Sequence, residues 1–107
     1  MNLTDAQQLT EQYVFDTYRR VPLLITRGKG AYIFDDTGKK YLDFFTGIAV
    51  NAAGHGNARI RKAIASQVAT LVHMSNLYYT EPMITLAQRL TTLAAMDKIF
   101  YCNSGAE

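Results

Sequence analysis

The chain has 107 residues and a formal net charge of +2 at pH 7, from 11 lysines and arginines against 9 aspartates and glutamates. Hydrophobic residues make up 49% of it and include 7 tyrosines and 5 phenylalanines, which excludes extensive disorder and fits at most one small domain. The small surplus of positive charge excludes the strongly basic surface that nucleic-acid binding needs, so we expect no nucleic-acid partner.

The first part of the chain predicts a helix and gives no sign of a targeting segment. Thr4-Asp5-Ala6-Gln7 has the spacing of a capping box, and apolar residues follow on one helical face, which predicts a helix from about Asp5 to Tyr18. No basic and apolar signal segment is visible, and no run approaches the ~18 apolar residues of a membrane span. Cys102 is the only cysteine, which excludes an internal disulfide. We therefore expect a cytoplasmic protein with no membrane partner.

Two aromatic segments around a polar turn predict a β-hairpin. A proline disfavours helical geometry ahead of them, so Leu23-Leu24-Ile25 is predicted to be extended up to a turn at Gly28-Lys29-Gly30. The Asp and Gly residues of the later turn supply backbone geometry that most residues resist. The two hairpin strands and their turn are predicted at Ala31–Asp35, Lys40–Phe44 and Asp36–Lys39.

The acidic and histidine side chains have positions that favour structural roles. Asp35, Asp36 and Asp43 flank the hairpin, where turn capping explains them better than acid–base catalysis. His55 lies between two glycines, which favours a turn residue whose imidazole bonds to the backbone, and His73 is assigned to a loop. Neither histidine lies near a carboxylate pair, so no metal site is predicted.

The middle of the chain predicts an uncharged connection and two amphipathic helices. Segment 45–58 carries no Asp, Glu, Lys or Arg, so it is either a buried connection or a wall against which something packs. Asn57 is suited to cap the next helix, in which apolar residues recur at helical spacing from Ile60 to Leu71. A further helix is predicted after Thr80, with Pro82 tolerated in its first turn.

The end of the chain predicts a strand that lacks a partner. Ile99–Cys102 is a short apolar strand, on which Cys102 is interpreted as a packed, inert thiol. The tail Asn103-Ser104-Gly105-Ala106-Glu107 is either a plain turn or a phosphate-binding cradle with a hydroxyl, a glycine and the start of a helix. Because no parallel partner strand occurs in the sequence, we expect an N-terminal piece of a larger α/β protein.

Five motifs follow one another in the chain: Asp35–Asp43, Gly47–Val50, Gly54-His55, Ser75–Pro82 and Asn103–Glu107. Together they resemble the N-terminal part of the class III (ornithine-type) pyridoxal-phosphate-dependent aminotransferases, and the resemblance covers nearly the whole chain. Ser75–Pro82, with its Ser-Asn-Leu-Tyr-Tyr sequence, is most similar to the acetylornithine branch of that family. Ala58 stands where the family usually has a proline, a change that concerns the turn more than the chemistry.

The resemblance implies the fold class and its division. The fold is expected to be α/β, the N-terminal fragment of a fold-type-I pyridoxal-phosphate-dependent transferase. Residues 1–50 would form the N-terminal part of the small domain, a helix and a β-hairpin. Residues 51–107 would form the start of the large cofactor-binding domain.

The resemblance also implies which residues form the site. Ser104, Gly105 and Ala106 would hold the phosphate of pyridoxal 5'-phosphate, mainly through backbone N–H groups. Ile48 and Tyr79 would lie near the side chain of the substrate; from the sequence itself Tyr79 is either a core residue or part of a pocket rim. No catalytic residue is assigned within the chain.

The activity implied is reversible transfer of the side-chain amino group of N-acetylornithine to 2-oxoglutarate, a step of arginine biosynthesis. Family members are homodimers with active sites at the interface, and Asn57–Ala95 is the part expected to face the partner. The lysine that holds the cofactor covalently is expected beyond Glu107, so the isolated chain is expected to be inactive. Two alternatives stay open: the same chemistry on another ω-amino donor, such as succinylornithine or 4-aminobutyrate, or a truncated, non-catalytic interaction module.

Overall fold

A computed structural model describes residues 1–106, which contain three helices and three strands. In chain order these are α1 (Leu3–Tyr13), β1 (Ile25–Lys29), β2 (Tyr32–Asp35), β3 (Lys40–Leu42), α2 (Ala58–Thr70) and α3 (Glu81–Ala94). The chain divides into two compact units, Met1–Ser66 and Gln67–Glu107. Within residues 1–106, no helix combines the length and the apolar character needed to span a membrane.

Helix α1 begins earlier and ends earlier than the sequence predicted. Asn2 Oδ1 accepts from the Asp5 N–H at 2.9 Å, and Asp5 Oδ2 accepts from the Asn2 N–H at 3.3 Å, which completes a capping box two residues before the predicted cap. The helix stops at Tyr13, and Val14 is extended, with φ −120° and ψ 130°. The predicted end at Tyr18 is wrong because the residues after Tyr13 include β-branched, aromatic and aspartate side chains of low helix propensity.

The three strands form one antiparallel sheet in the order β1-β2-β3. The predicted hairpin is confirmed, with Ile33 opposite Tyr41. Gly28 and Lys29 belong to β1, where Lys29 pairs with Tyr32, so the predicted turn at these two residues is wrong. The chain reverses instead after Gly30, whose φ of +58° suits a glycine in a tight β-connection.

One face of the sheet carries aromatic rings covered by cationic side chains. Tyr32 and Phe34 alternate along β2 and therefore share a face. The Arg27 Cζ lies 3.7 Å from the centroid of the Phe34 ring, and the Lys40 Nζ lies 4.3 Å from that of Tyr32. The contacts bury ring surface while the charges stay in water.

The turn of the hairpin is organised by Asp35. Its Oδ1 accepts from the Thr37 N–H at 3.0 Å, the Thr37 hydroxyl at 2.7 Å and the Lys39 N–H at 2.9 Å, and its Oδ2 accepts from the Tyr41 hydroxyl at 2.8 Å. The Thr37 hydroxyl, followed by that of Tyr41, holds the pKa of the Asp35 carboxyl below 3.8. The same contact with Asp35 raises the pKa of Tyr41 above 10.0. The predicted turn-capping role of Asp35 is therefore confirmed.

Helices α2 and α3 occur where the sequence predicted them. Asn57 Oδ1 accepts from the Arg59 N–H at 3.0 Å and the Ile60 N–H at 3.3 Å, so Asn57 caps α2 as predicted. Thr80 occupies the N-cap position of α3 without a side-chain capping hydrogen bond, and Pro82 lies in the first turn. In both helices the apolar residues recur at helical spacing, as the sequence predicted.

The segment after α3 belongs to no strand or sheet of the described chain. The predicted strand Ile99–Cys102 is wrong, because a strand requires a neighbour to pair with and none is present among residues 1–106. The Tyr101 hydroxyl donates to the carbonyl oxygen of Met83 at 2.7 Å, which ties the segment to the first turn of α3. Cys102 is exposed, so the prediction of a packed thiol is also wrong.

The described residues form no hydrophobic core. No hydrophobic residue among residues 1–106 is buried, and side chains such as Phe15 (91% exposed) and Leu93 (83% exposed) are almost fully open to solvent. The apolar faces of all three helices are therefore uncovered. Further protein surface is needed to stabilise them.

We expect the isolated 107-residue polypeptide to self-associate and to unfold without a cooperative transition, since its apolar helix faces have nothing to pack against. Light scattering coupled to size exclusion measures the first property, and differential scanning calorimetry measures the second. A monodisperse monomer with a sharp heat-absorption peak would contradict this expectation.

Asp35→Asn is expected to lower the thermal midpoint of the protein encoded by the complete reading frame, because the amide lacks the negative charge and has one acceptor oxygen in place of the two that serve the turn and Tyr41. Stabilisation by a carboxyl with a lowered pKa is present above its ordinary pKa of 3.8 and lost as the pH falls through the folded value. The difference from wild type should therefore shrink below about pH 4.

Asp16→Asn is the matched control for this measurement, because Asp16 is an exposed carboxylate of the same unit. Its thermal midpoint should follow that of the wild type at each pH. A deficit for Asp35→Asn that stays constant from about pH 7 to about pH 3 would rule out the proposed role of the carboxylate.

Candidate functional site

Asp43 and His55 form a carboxylate–imidazole hydrogen bond. Asp43 Oδ2 lies 2.7 Å from His55 Nε2, and the side chains are 8% and 23% exposed, respectively. With its proton on Nε2, or as an imidazolium, His55 donates to the carboxylate. The prediction that the His55 imidazole bonds to backbone is thus wrong, because the fold places a carboxylate within its reach.

Asp43 also caps the chain that follows it. Its Oδ1 accepts from the Thr46 N–H at 2.8 Å and from the Phe45 N–H at 3.1 Å, and its own N–H donates to the carbonyl oxygen of Ala31 at 2.9 Å. The hydrogen bond from His55, followed by that from the Thr46 N–H, lowers the pKa of the Asp43 carboxyl below 3.8. The charged carboxylate thus links the hairpin, the next turn and His55.

Glycines make room for His55 against the hairpin. A Cβ atom at Gly28 would lie 2.5 Å from Cγ of His55, closer than real side chains approach. The Gly30 N–H donates to the His55 carbonyl oxygen at 2.9 Å, and the His55 N–H donates to the Gly30 carbonyl oxygen at 2.8 Å. Gly28 is therefore required by packing, a reason that the sequence alone did not reveal.

Between Asp43 and His55 the backbone forms a left-handed turn. Four consecutive residues have positive φ: Thr46 (50°), Gly47 (62°), Ile48 (57°) and Ala49 (65°). For residues other than glycine this region costs ~1–2 kcal/mol each, and it is rarest for β-branched side chains such as Thr and Ile. Such strain persists only where surrounding contacts enforce it. The predicted substrate residue Ile48 lies in this turn and is 78% exposed.

The other predicted site residues lie in the second unit. Tyr79 immediately precedes the N-cap of α3 and is 93% exposed, so of its two alternatives the core is not seen in the described chain and the pocket rim stays a prediction. Ser104, Gly105 and Ala106 are exposed in a turn at the end of the chain. Ile48 belongs to the first unit.

The donor set of Ser104–Ala106 fits a phosphate group. Ser104 offers a hydroxyl, and Gly105 and Ala106 offer backbone N–H groups, which are the usual ligands of phosphate oxygens. The Ala106 N–H donates to Ser104 Oγ at 3.3 Å, which places the hydroxyl beside this amide. A Cβ atom at Gly105 would meet no atom within 4 Å, which leaves open space around this backbone.

A concavity of about 840 Å³ lies elsewhere, between α1 and the segment of residues 14–24. None of the predicted site residues lines it, and its exposed apolar walls include Phe15 and Val21. No cluster of three or more potential metal ligands occurs within residues 1–106.

The Asp43–His55 pair is the feature that sequence reasoning missed. Its two members border residues 44–54, which contain no ionisable side chain. An acidic residue and a histidine at the two ends of a charge-free segment are a signal that could have suggested the contact. The contact was missed because Asp43 and His55 are far apart in the sequence, and no local turn or helix pattern predicts that they meet.

Comparisons with known proteins give a consistent result. The family model described as Aminotransferase class-III matches residues 13–107. The acetylornithine aminotransferase of Methanocaldococcus jannaschii is 48% identical over 99 residues, which are 92% of this chain and 25% of that protein. The chain therefore spans about a quarter of the length of the curated relatives it matches.

Solved structures agree with the sequence relatives. The crystal structure of acetylornithine aminotransferase from Elizabethkingia anophelis matches 99% of this chain with a TM-score of 0.94 and 30% identity, over 28% of its own chain. That of taurine:2-oxoglutarate aminotransferase from Bifidobacterium kashiwanohense, in complex with PLP and glutamate, matches 99% of this chain with a TM-score of 0.85 and 26% identity, over 25% of its own chain.

Gly28→Ala is expected to destabilise the protein encoded by the complete reading frame by about 1–3 kcal/mol, because the added methyl group overlaps the His55 ring. Urea denaturation followed by circular dichroism measures the loss. In a His55→Gly background the same change should cost less than ~0.5 kcal/mol, since the Cβ, Cγ and Nδ1 atoms of His55, which lie 2.5–2.7 Å from the added methyl group, are gone. Equal costs in both backgrounds would show that the ring is not the obstacle.

Proposed function

Because this chain belongs to the class-III aminotransferases, we propose that it forms part of an enzyme that transfers the side-chain amino group of N-acetylornithine to 2-oxoglutarate. The observation that carries the proposal is the 48% identity to an acetylornithine aminotransferase over 92% of the chain. The fold of that family agrees with the helix, small antiparallel sheet and following helices seen here.

Pyridoxal 5'-phosphate is the cofactor of this proposal, and Ser104, Gly105 and Ala106 are its proposed phosphate ligands. When bound, the cofactor supplies an electron sink for the carbon that exchanges its amino group. The Ser104 hydroxyl and the two backbone N–H groups would orient the phosphate by hydrogen bonds that need no positive side chain. Their exposure and the open space at Gly105 support this role.

Ile48 and Tyr79 are proposed to contact the amino donor. N-acetylornithine has an aliphatic chain and an amide group, which suit an apolar side chain and a hydroxyl donor, respectively. Ile48 and Tyr79 are among the most exposed apolar and aromatic residues of the described chain. A ligand or another part of the protein is therefore free to cover them.

A second copy of the protein is the proposed partner, and Asn57–Ala95 is the proposed contact region. Ile60, Ile64 and Val68 recur along α2 and are 46–60% exposed, so the helix presents an uncovered apolar stripe. The division into a small domain, residues 1–50, and the start of a large domain, residues 51–107, stays a prediction, as does a cytoplasmic setting.

The second candidate function is the same amino transfer with another amino donor. Support for it comes from the structural match to a taurine:2-oxoglutarate aminotransferase, which shares this part of the fold while acting on a different amine. The identity is lower there, 26% against 48% for the Methanocaldococcus jannaschii protein, so N-acetylornithine is the preferred donor. A non-catalytic interaction module is the remaining alternative.

Expression of the complete reading frame tests the proposal. We expect the purified protein, with pyridoxal 5'-phosphate, to form glutamate from 2-oxoglutarate with N-acetylornithine as the preferred donor. Succinylornithine, 4-aminobutyrate and taurine are assayed in parallel, and a higher kcat/KM for one of them would favour the second candidate. If no donor supports glutamate formation, the non-catalytic interaction module is the alternative that remains.

A further inference from the structure

Residues 44–54 form a loop whose two ends are fastened to the hairpin at one place. Asp43 leads into it directly from the end of β3, and His55 follows its last residue. The side chains of Asp43 and His55 meet at 2.7 Å, and two backbone hydrogen bonds of 2.9 and 2.8 Å join His55 to Gly30. The loop therefore starts and finishes at the same end of the sheet, beside the connection between β1 and β2.

Inside the loop, the left-handed turn at residues 46–49 is held from its N-terminal side. Asp43 Oδ1 accepts from the Thr46 N–H at 2.8 Å, where the turn begins, and the carbonyl oxygen of Phe45 accepts from the Ile48 N–H at 3.0 Å. Thr46, Ile48 and Ala49 would each relax to negative φ if nothing opposed it. A relaxed turn would move the Ile48 side chain.

One carboxylate therefore performs two tasks. Oδ1 of Asp43 fixes the start of the strained turn, while Oδ2 is held by His55. An isolated carboxylate rotates freely about its Cβ–Cγ bond, and the hydrogen bond from His55 removes that freedom. The imidazole is held in turn by its packing against Gly28, where a Cβ atom would collide with it.

We propose that Asp43 and His55 are positioning residues, whose mutual hydrogen bond holds the 46–49 turn so that Ile48 is presented to the amino donor. The inference rests on the proposed function, since it assigns a donor contact to Ile48. It predicts that the pair acts on donor binding through Ile48 and has no direct part in amino transfer.

The experiment uses the protein encoded by the complete reading frame and three replacements of His55. His55→Leu keeps the side-chain bulk and removes the N–H donor. His55→Gln returns an N–H donor at about the distance of Nε2, whereas His55→Asn carries one that is too short to reach Asp43. Gln8→Leu is the control, because Gln8 is exposed on α1 and lies outside the residues that match the family.

Hydrogen exchange of residues 44–54 provides the first readout and needs no activity. His55→Leu should speed the exchange of these amides about tenfold or more, and His55→Gln should restore most of the protection. Gln8→Leu should match the wild type. Unchanged exchange in His55→Leu would overturn the proposal even if the enzyme is active, and this readout still decides it if no donor is used at all. If His55→Leu fails to fold, His55→Asn takes its place under the same criteria.

Steady-state kinetics with N-acetylornithine provide the second readout. His55→Leu should raise KM for the donor about tenfold while kcat changes less than about threefold, and His55→Gln should recover the wild-type KM. In an Ile48→Ala background, His55→Leu should raise KM no further, because the contact it positions is already absent. Additive effects of the two changes, or a loss confined to kcat, would overturn the positioning role.

Discussion

The carboxylate of Asp35 is the interaction on which the first unit depends. Asp35 is 7% exposed and is the only residue within residues 1–106 that is buried when backbone and side chain are taken together. Thr37, Lys39 and Tyr41 all donate to it, so one charged group fixes the turn and joins it to the next strand. Because no hydrophobic residue in the described chain is buried, this network and the backbone ladder hold the hairpin in place of a core.

The same arrangement recurs one strand later at Asp43. There too a carboxylate caps the turn that follows it with one oxygen and binds a side chain from further along the chain with the other. Asp36 extends the pattern, since its carboxylate accepts from the Leu3 N–H at 2.9 Å and so fastens the start of α1 to the hairpin turn. Three aspartates thus connect the helix, the sheet and the loop of the first unit.

Local signals made much of the fold predictable from the sequence. The hairpin turn, the Asn57 cap and Pro82 in the first turn of α3 depend on residues within four positions of one another, and these predictions are confirmed. Two of the failures required longer-range information. Gly28 and Lys29 have turn-like composition, yet pairing with β2 makes them a strand. At Ile99–Cys102 an apolar run without a pairing partner stays outside any sheet.

The site residues were predicted from a family resemblance, whereas the elements of the fold were predicted from local sequence signals. Resemblance to a family suggested the roles of Ile48 and Tyr79, and it favoured a phosphate cradle over a plain turn at Ser104–Ala106. The Asp43–His55 pair was missed because the contact depends on how the hairpin and the loop fold back on each other. The fold class expected from the resemblance, an N-terminal part of a fold-type-I transferase, is confirmed by the structural matches.

The cations on the sheet have a consequence for how the chain meets other molecules. Strands β1 and β3 are the two edges of the sheet, and both carry lysine or arginine side chains, including Arg27, Lys29 and Lys40. Positive side chains on an edge strand discourage the addition of a foreign strand, because like charges would be brought together at each step of growth. Association of this chain should therefore proceed through its apolar helices, leaving the sheet unextended and free of amyloid-like stacking.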